Sequence, residues 1–93
     1  MSNFEKLVAM INNANENNTE INISYATDGD DVSMAMVIVP ELTVMGSWVS
    51  IADKEKGMRM YFSFQIESEV EYDELDEEYT IEVGDGLLII AEN

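Results

Sequence analysis

Residues 58–72 read Met58-Arg59-Met60-Tyr61-Phe62-Ser63-Phe64-Gln65-Ile66-Glu67-Ser68-Glu69-Val70-Glu71-Tyr72. Apolar and polar side chains alternate through nearly the whole stretch, and a period of two belongs to a half-buried β-strand. Met60, Phe62, Phe64, Ile66, Val70 and Tyr72 fall on one side with Ser68, while Tyr61, Ser63, Gln65, Glu67, Glu69, Glu71 and then Asp73 fall on the other. The first side is expected to face a core and the second to face water. A strand with one apolar face needs a sheet around it and another element to cover that face.

The cover is found at the start of the chain. Ser2 and Glu5 have the spacing of a capping box, and Phe4, Leu7, Val8, Ile11 and Ala14 recur on one face of a helix. The helix is expected to fade in the Asn-rich stretch from Asn12 to Asn18, where short polar side chains compete for backbone hydrogen bonds. Strands follow. Ile21, Ile23 and Tyr25 alternate with polar residues, Thr27-Asp28-Gly29-Asp30-Asp31 supplies a turn, and Val32 to Val39 runs apolar as the second arm of a hairpin. Pro40 has no amide hydrogen to give a ladder and should stop that strand. Leu42 to Ala52 reads as a third strand with a bulge at Gly46, and Asp53 to Gly57 as the next turn. Beyond the long strand and an acidic loop, Tyr79–Val83 and Leu87–Ala91 flank Gly84-Asp85-Gly86 as a last hairpin. The expected fold is α+β: one N-terminal helix packed on a mostly antiparallel sheet of about five or six strands, in a single domain spanning residues 1–93.

The same alternation carries the charge. Between Glu67 and Glu78 stand eight carboxylates, Glu67, Glu69, Glu71, Asp73, Glu74, Asp76, Glu77 and Glu78, and no base follows Arg59. On one strand, Glu67, Glu69, Glu71 and Asp73 would stand about 6.8 Å apart in a row. Neighbouring charges at that distance repel by only about 0.6 kcal/mol across water, so a folded domain can bear the row. A solvated outer face is the bland reading of an acidic run. Against it, these acids are of one sign, they are placed on a strand, and they continue through Glu82 and Asp85. A basic protein surface is therefore the expected partner, with Tyr61 and Tyr72 adding contact area.

In its length, its excess of 20 acids over 4 bases, its lack of Cys and His, and the segment Ile66-Glu67-Ser68-Glu69-Val70-Glu71-Tyr72-Asp73, the chain resembles the small acidic anti-defence proteins of bacteriophages. That class includes anti-CRISPR and anti-restriction proteins, some of which are DNA mimics. It has no shared motif, so the resemblance carries over no individual residue. It implies an inhibitor that occupies a nucleic-acid-binding surface of a host defence protein. The alternatives are an antitoxin or immunity-type inhibitor of a basic toxin, and an oligomeric domain that sequesters a small ligand.

A formal charge of -16 disfavours direct binding to nucleic acid or anionic lipid. Without Cys or His, disulfides and the usual zinc ligands are excluded. Asp28-Gly29-Asp30-Asp31 has calcium-like oxygens but lacks the remaining EF-hand ligands, so it is read as a turn, with no metal and no cofactor expected. Gly84-Asp85-Gly86 is a turn and no phosphate loop. Lys54, Lys56 and Arg59 are read as solubilising a hairpin tip. No nucleophile, tuned acid-base pair or cleft is evident, so the protein is not expected to be an enzyme. The longest apolar run, Met34 to Val39, is far short of the roughly 20 residues that span a bilayer, so a cytosolic location is expected, that of the host if the chain is phage-encoded. Apolar residues on both faces of Val32 to Val39 point to a homodimer that covers the second face.

Overall fold

The computed structural model describes residues 2–27 and 33–93. The turn expected at Asp28 to Asp31, with its cation reading, lies outside them. Helix α1 (Asn3–Asn17) starts where expected: the Ser2 hydroxyl accepts from the Glu5 amide at 3.1 Å, and a Glu5 carboxylate oxygen accepts from the Ser2 amide at 3.0 Å. These two bonds hold the Glu5 carboxyl below the ordinary carboxylate range, the bond from the Ser2 backbone contributing most. Leu7, Ile11 and Ala14 form its buried stripe. The helix continues through the Asn-rich stretch to Asn17 and ends at Asn18, which adopts the left-handed conformation with φ 53°. Inside the stretch, the Asn17 side-chain amide donates to Asn13, so an Asn placed in the last turn stays within the helix.

Among the described residues eight strands follow: β1 (Ile21–Thr27), β2 (Ser33–Ile38), β3 (Pro40–Met45), β4 (Trp48–Asp53), β5 (Gly57–Gln65), β6 (Val70–Asp73), β7 (Glu78–Val83) and β8 (Gly86–Glu92). All pair antiparallel, in a five-stranded sheet ordered β2-β1-β8-β7-β6 and a three-stranded sheet ordered β3-β4-β5. The fold class is as expected, α+β with one N-terminal helix on antiparallel sheet. The strand count is larger because two stretches read as single strands are each broken.

Leu42 to Ala52 is a hairpin. Met45 pairs with Trp48, so Gly46 and Ser47 form a two-residue loop, and Gly46 has φ 62°. A glycine at the first loop position supplies the positive φ that a tight hairpin needs, which a bulge would not. Gly84 repeats the device with φ 59° between Val83 and Gly86. The stretch from Met58 to Tyr72 is also interrupted. A turn at Ile66 to Ser68, closed by the Ser68 amide donating to the Gln65 carbonyl at 2.9 Å, carries the chain from one sheet to the other. Pro40 does end the second strand, and a single residue, Val39, leads from β2 into β3.

The core lies between the two sheets and α1. One face of the five-stranded sheet contributes Ile21, Ile23, Ile38, Val70, Ile81, Leu88 and Ile90, the three-stranded sheet contributes Val49, Ile51 and Phe64, and the helix closes the remaining side. Phe4 meets the edge of Phe64 at 6.4 Å between ring centres. Two asparagines fasten α1 at its ends: the Asn3 side chain donates to the Val70 carbonyl on β6 at 3.0 Å, and Asn15 to the Pro40 carbonyl on β3 at 2.9 Å. Lys54 Nζ donates to the Asn15 carbonyl at 2.9 Å and to Asn18 Oδ1 at 3.0 Å. Lys54, expected only to solubilise a hairpin tip, thus caps the helix C-terminus, where the dipole favours a cation.

Candidate functional site

The acidic run forms a hairpin end. In β6, Glu71 faces Thr80 of β7 and Asp73 faces Glu78, so Glu71, Asp73, Glu78 and Glu82 share the face of the five-stranded sheet that points away from the core. Glu74, Asp76 and Glu77 are exposed in the connecting turn, where Glu77 has φ 54°. The expected row Glu67-Glu69-Glu71-Asp73 is corrected: Glu67 belongs to the turn that ends β5, Glu69 to the link before β6, and only Glu71 and Asp73 are on the strand. The regular spacing fails because the chain changes sheets at residues 66–69 without a Gly or Pro to announce it.

Acids crowd the hairpin end. Asp73 Oδ1 accepts from the amides of Leu75 at 3.0 Å and Asp76 at 3.3 Å, which fixes the turn. Like charges stand directly opposite at Asp73 and Glu78, an unfavourable cross-strand pair. Partial burial raises the Glu78 carboxyl above the ordinary carboxylate range, and the charges of Asp76 and Asp73 raise it further. Carboxylate oxygens of Asp73, Asp76 and Glu78 lie within 4.8 Å of one another. Three such oxygens are half or less of the six to eight that a calcium ion takes, and Asp73 is already engaged by two amides.

On the same outer face, Glu69, Glu71, Thr80, Glu82 and Leu87 line a depression of ≈ 160 Å³. Three carboxylates around one leucine suit a lysine or arginine side chain, the aliphatic stem resting on Leu87 and the cationic head among the acids. Leu87 was not singled out in the sequence, although the apolar residues on both faces of β8 carry the signal that one of its faces lies open.

The two tyrosines are not gathered with these acids. Tyr72 points to the opposite face of β6, where it is 41% exposed and meets Tyr79 with ring centres 4.8 Å apart and planes tilted by 53°, beside Asp76 and Glu77. Burial, then the neighbouring Tyr72 and Glu92, raise the Tyr79 hydroxyl pKa. Tyr61 stands on β5, opposite Ala52 in the three-stranded sheet, and is exposed there. Trp48 comes nearer: with Ser68, Glu82 and Gly84 it lines a second depression, of ≈ 260 Å³, where the two sheets meet. The four bases lie elsewhere in the chain, Lys6 in α1, Lys54 and Lys56 between β4 and β5, and Arg59 in β5.

Comparison with family models, with curated proteins and with solved structures finds no match to this chain. No helix among the described residues is long and apolar enough to cross a membrane.

Proposed function

We propose that the protein is an acidic protein-binding inhibitor, of the phage anti-defence kind, that occupies a basic nucleic-acid-binding surface of a host protein by charge mimicry. The observation that carries this reading is segregation: β6, β7 and their links collect Glu69, Glu71, Asp73, Glu74, Asp76, Glu77, Glu78 and Glu82, while β6, β7 and β8 hold no base. Most of these acids are exposed, so they are hydrated and available. Their fixed placement on a hairpin means that a partner's Lys and Arg meet a preorganised array at little ordering cost. Duplex DNA presents the same class of target, closely spaced negative charge, to the grooves that bind it. The antitoxin alternative uses the same acids on a different basic partner.

The test replaces Glu69, Glu71 and Glu82 by Lys together. All three are exposed and outside the core, so circular dichroism should be unchanged. Affinity for the captured partner should fall by about 100-fold or more, given coupling energies of about 1.5 kcal/mol or above for close charge pairs. Wild-type binding should weaken as salt rises and should be competed by DNA or RNA. Unaltered affinity in the triple variant overturns the reading. Binding that nucleic acid does not compete, coupled with rescue from a toxin, moves it to the antitoxin.

A further inference from the structure

We propose that β2 is a self-association edge, through which two copies of this chain join their five-stranded sheets into one ten-stranded antiparallel sheet. The inference is independent of the acidic face and remains open if that reading fails.

An outermost strand displays unpaired backbone groups, and soluble proteins guard such strands with charge, proline, bulges, shortness or a covering element. Of the four outermost strands among the described residues, β6 is four residues long and carries Glu71 and Asp73. β3 begins Pro40-Glu41 and has α1 packed against it. β5 contains Arg59 and a register shift opposite β4. Among the described residues β2 has none of these: it reads Ser-Met-Ala-Met-Val-Ile, it pairs with β1 without a shift, and β1 is the one described strand beside it. Its exposed side chains are apolar on both faces, with Met34 42% and Val37 49% exposed.

Of the two edges of this sheet, the charge distribution admits a second copy at β2 and opposes one at β6. Each chain carries a formal charge of -16, so two copies repel wherever their acids meet. β1 and β2 contain no charged residue, and β2 is the edge farthest from acidic β6. Joined through β2, the two β6 edges would be separated by nine strand spacings, about 43 Å, several times the Debye length of about 8 Å.

Register follows from symmetry. A two-fold axis normal to the sheet keeps like faces on the same side, so directly opposed residues must share a face and one residue must oppose its own copy. With Met36 on the axis, Val37 opposes Ala35 and Met34 opposes Ile38, so the exposed Met34, Ala35 and Val37 all meet apolar partners across the seam. The outer face then carries Ala35 and Val37 of both copies as an apolar patch across the seam, flanked on each side by Asn22 and Ser24 of β1.

The test uses the full chain by sedimentation equilibrium over about 10 µM to 1 mM, the range suited to a small interface. The expected result is a mass that doubles with concentration and doubles more readily in added salt, because screening relieves repulsion between like-charged copies. Partner binding through the acids has the opposite salt dependence, so the two fail separately. Val37→Glu, at an exposed position, should weaken the dimer by at least about 10-fold, one decade of affinity. Hydrogen exchange of the wild type should slow with concentration at β2 amides and not at β6 amides. A chain that stays monomeric throughout, or a dimer whose protection falls elsewhere and that Val37→Glu leaves intact, overturns the proposal.

Discussion

Glu78 shows how a single position records the field of the whole hairpin. Its carboxyl is raised by partial burial first and by Asp76 and Asp73 after that, so ionising it costs more in the folded chain than in the unfolded one. The sign follows from linkage: the folded state binds the proton more tightly, so the penalty is present above the raised pKa and disappears as pH falls through it. Glu78→Gln should therefore raise the melting temperature at pH 7 by up to about 3 °C, the scale of a surface substitution of about 0.5 kcal/mol or less, with no gain near pH 4. Thermal melts at the two pH values decide it. Gly86 poses a different constraint. A Cβ there would lie 2.5 Å from the Tyr25 ring and 2.6 Å from the Ala26 carbonyl oxygen. Tyr25 cannot step aside freely, since its hydroxyl donates to the Val83 carbonyl at 2.8 Å. Gly86→Ala should cost about 1–3 kcal/mol in urea unfolding, the range for forcing a group into a packed site. An unshifted midpoint would mean that the Tyr25 ring is not held over β8.

At the level of elements, α1 depends on a residue 36 positions beyond its cap, for Lys54 reaches Asn18 Oδ1 and the Asn15 carbonyl. Lys54→Met keeps the aliphatic stem and removes the charged donor, so it should lower stability by about 0.5–1 kcal/mol, or roughly 2–8 °C of melting temperature. A melt indistinguishable from wild type would show that water serves the helix end equally well. The contact was not legible in the sequence, because a helix cap supplied from a distant turn has no local pattern. The capping box at Ser2 and Glu5 was legible, because both of its partners lie within four residues. Strands were visible from their alternation, but alternation says nothing about where a sheet ends. Gly46-Ser47 was a readable hairpin signal, a glycine leading a two-residue loop, whereas Ile66-Glu67-Ser68 closes its turn with residues that also suit a strand. That unmarked turn turned an expected linear row of acids into a hairpin end. Composition located the acids, and topology decided their shape.

For the molecule as a whole, a charge of -16 on 93 residues is a standing load. Much of it is repulsion between exposed groups, which salt screens. Raising sodium chloride from about 10 mM to about 0.5 M should raise the melting temperature by several degrees, and calorimetry at fixed pH would read it; a fall would mean that attractive pairs outweigh the repulsion. The helix that helps to bear this load is fastened at both ends, by Asn15 to β3 and by Asn3 to β6, the second bond joining residues 67 positions apart. Because a ribosome releases α1 well before Val70, the helix waits for its second anchor while β1 to β5 are made. Its stripe of Leu7 and Ile11 is therefore the surface that a nascent chain must keep from its neighbours until the acidic hairpin emerges, and β8, which follows that hairpin, then joins it to β1.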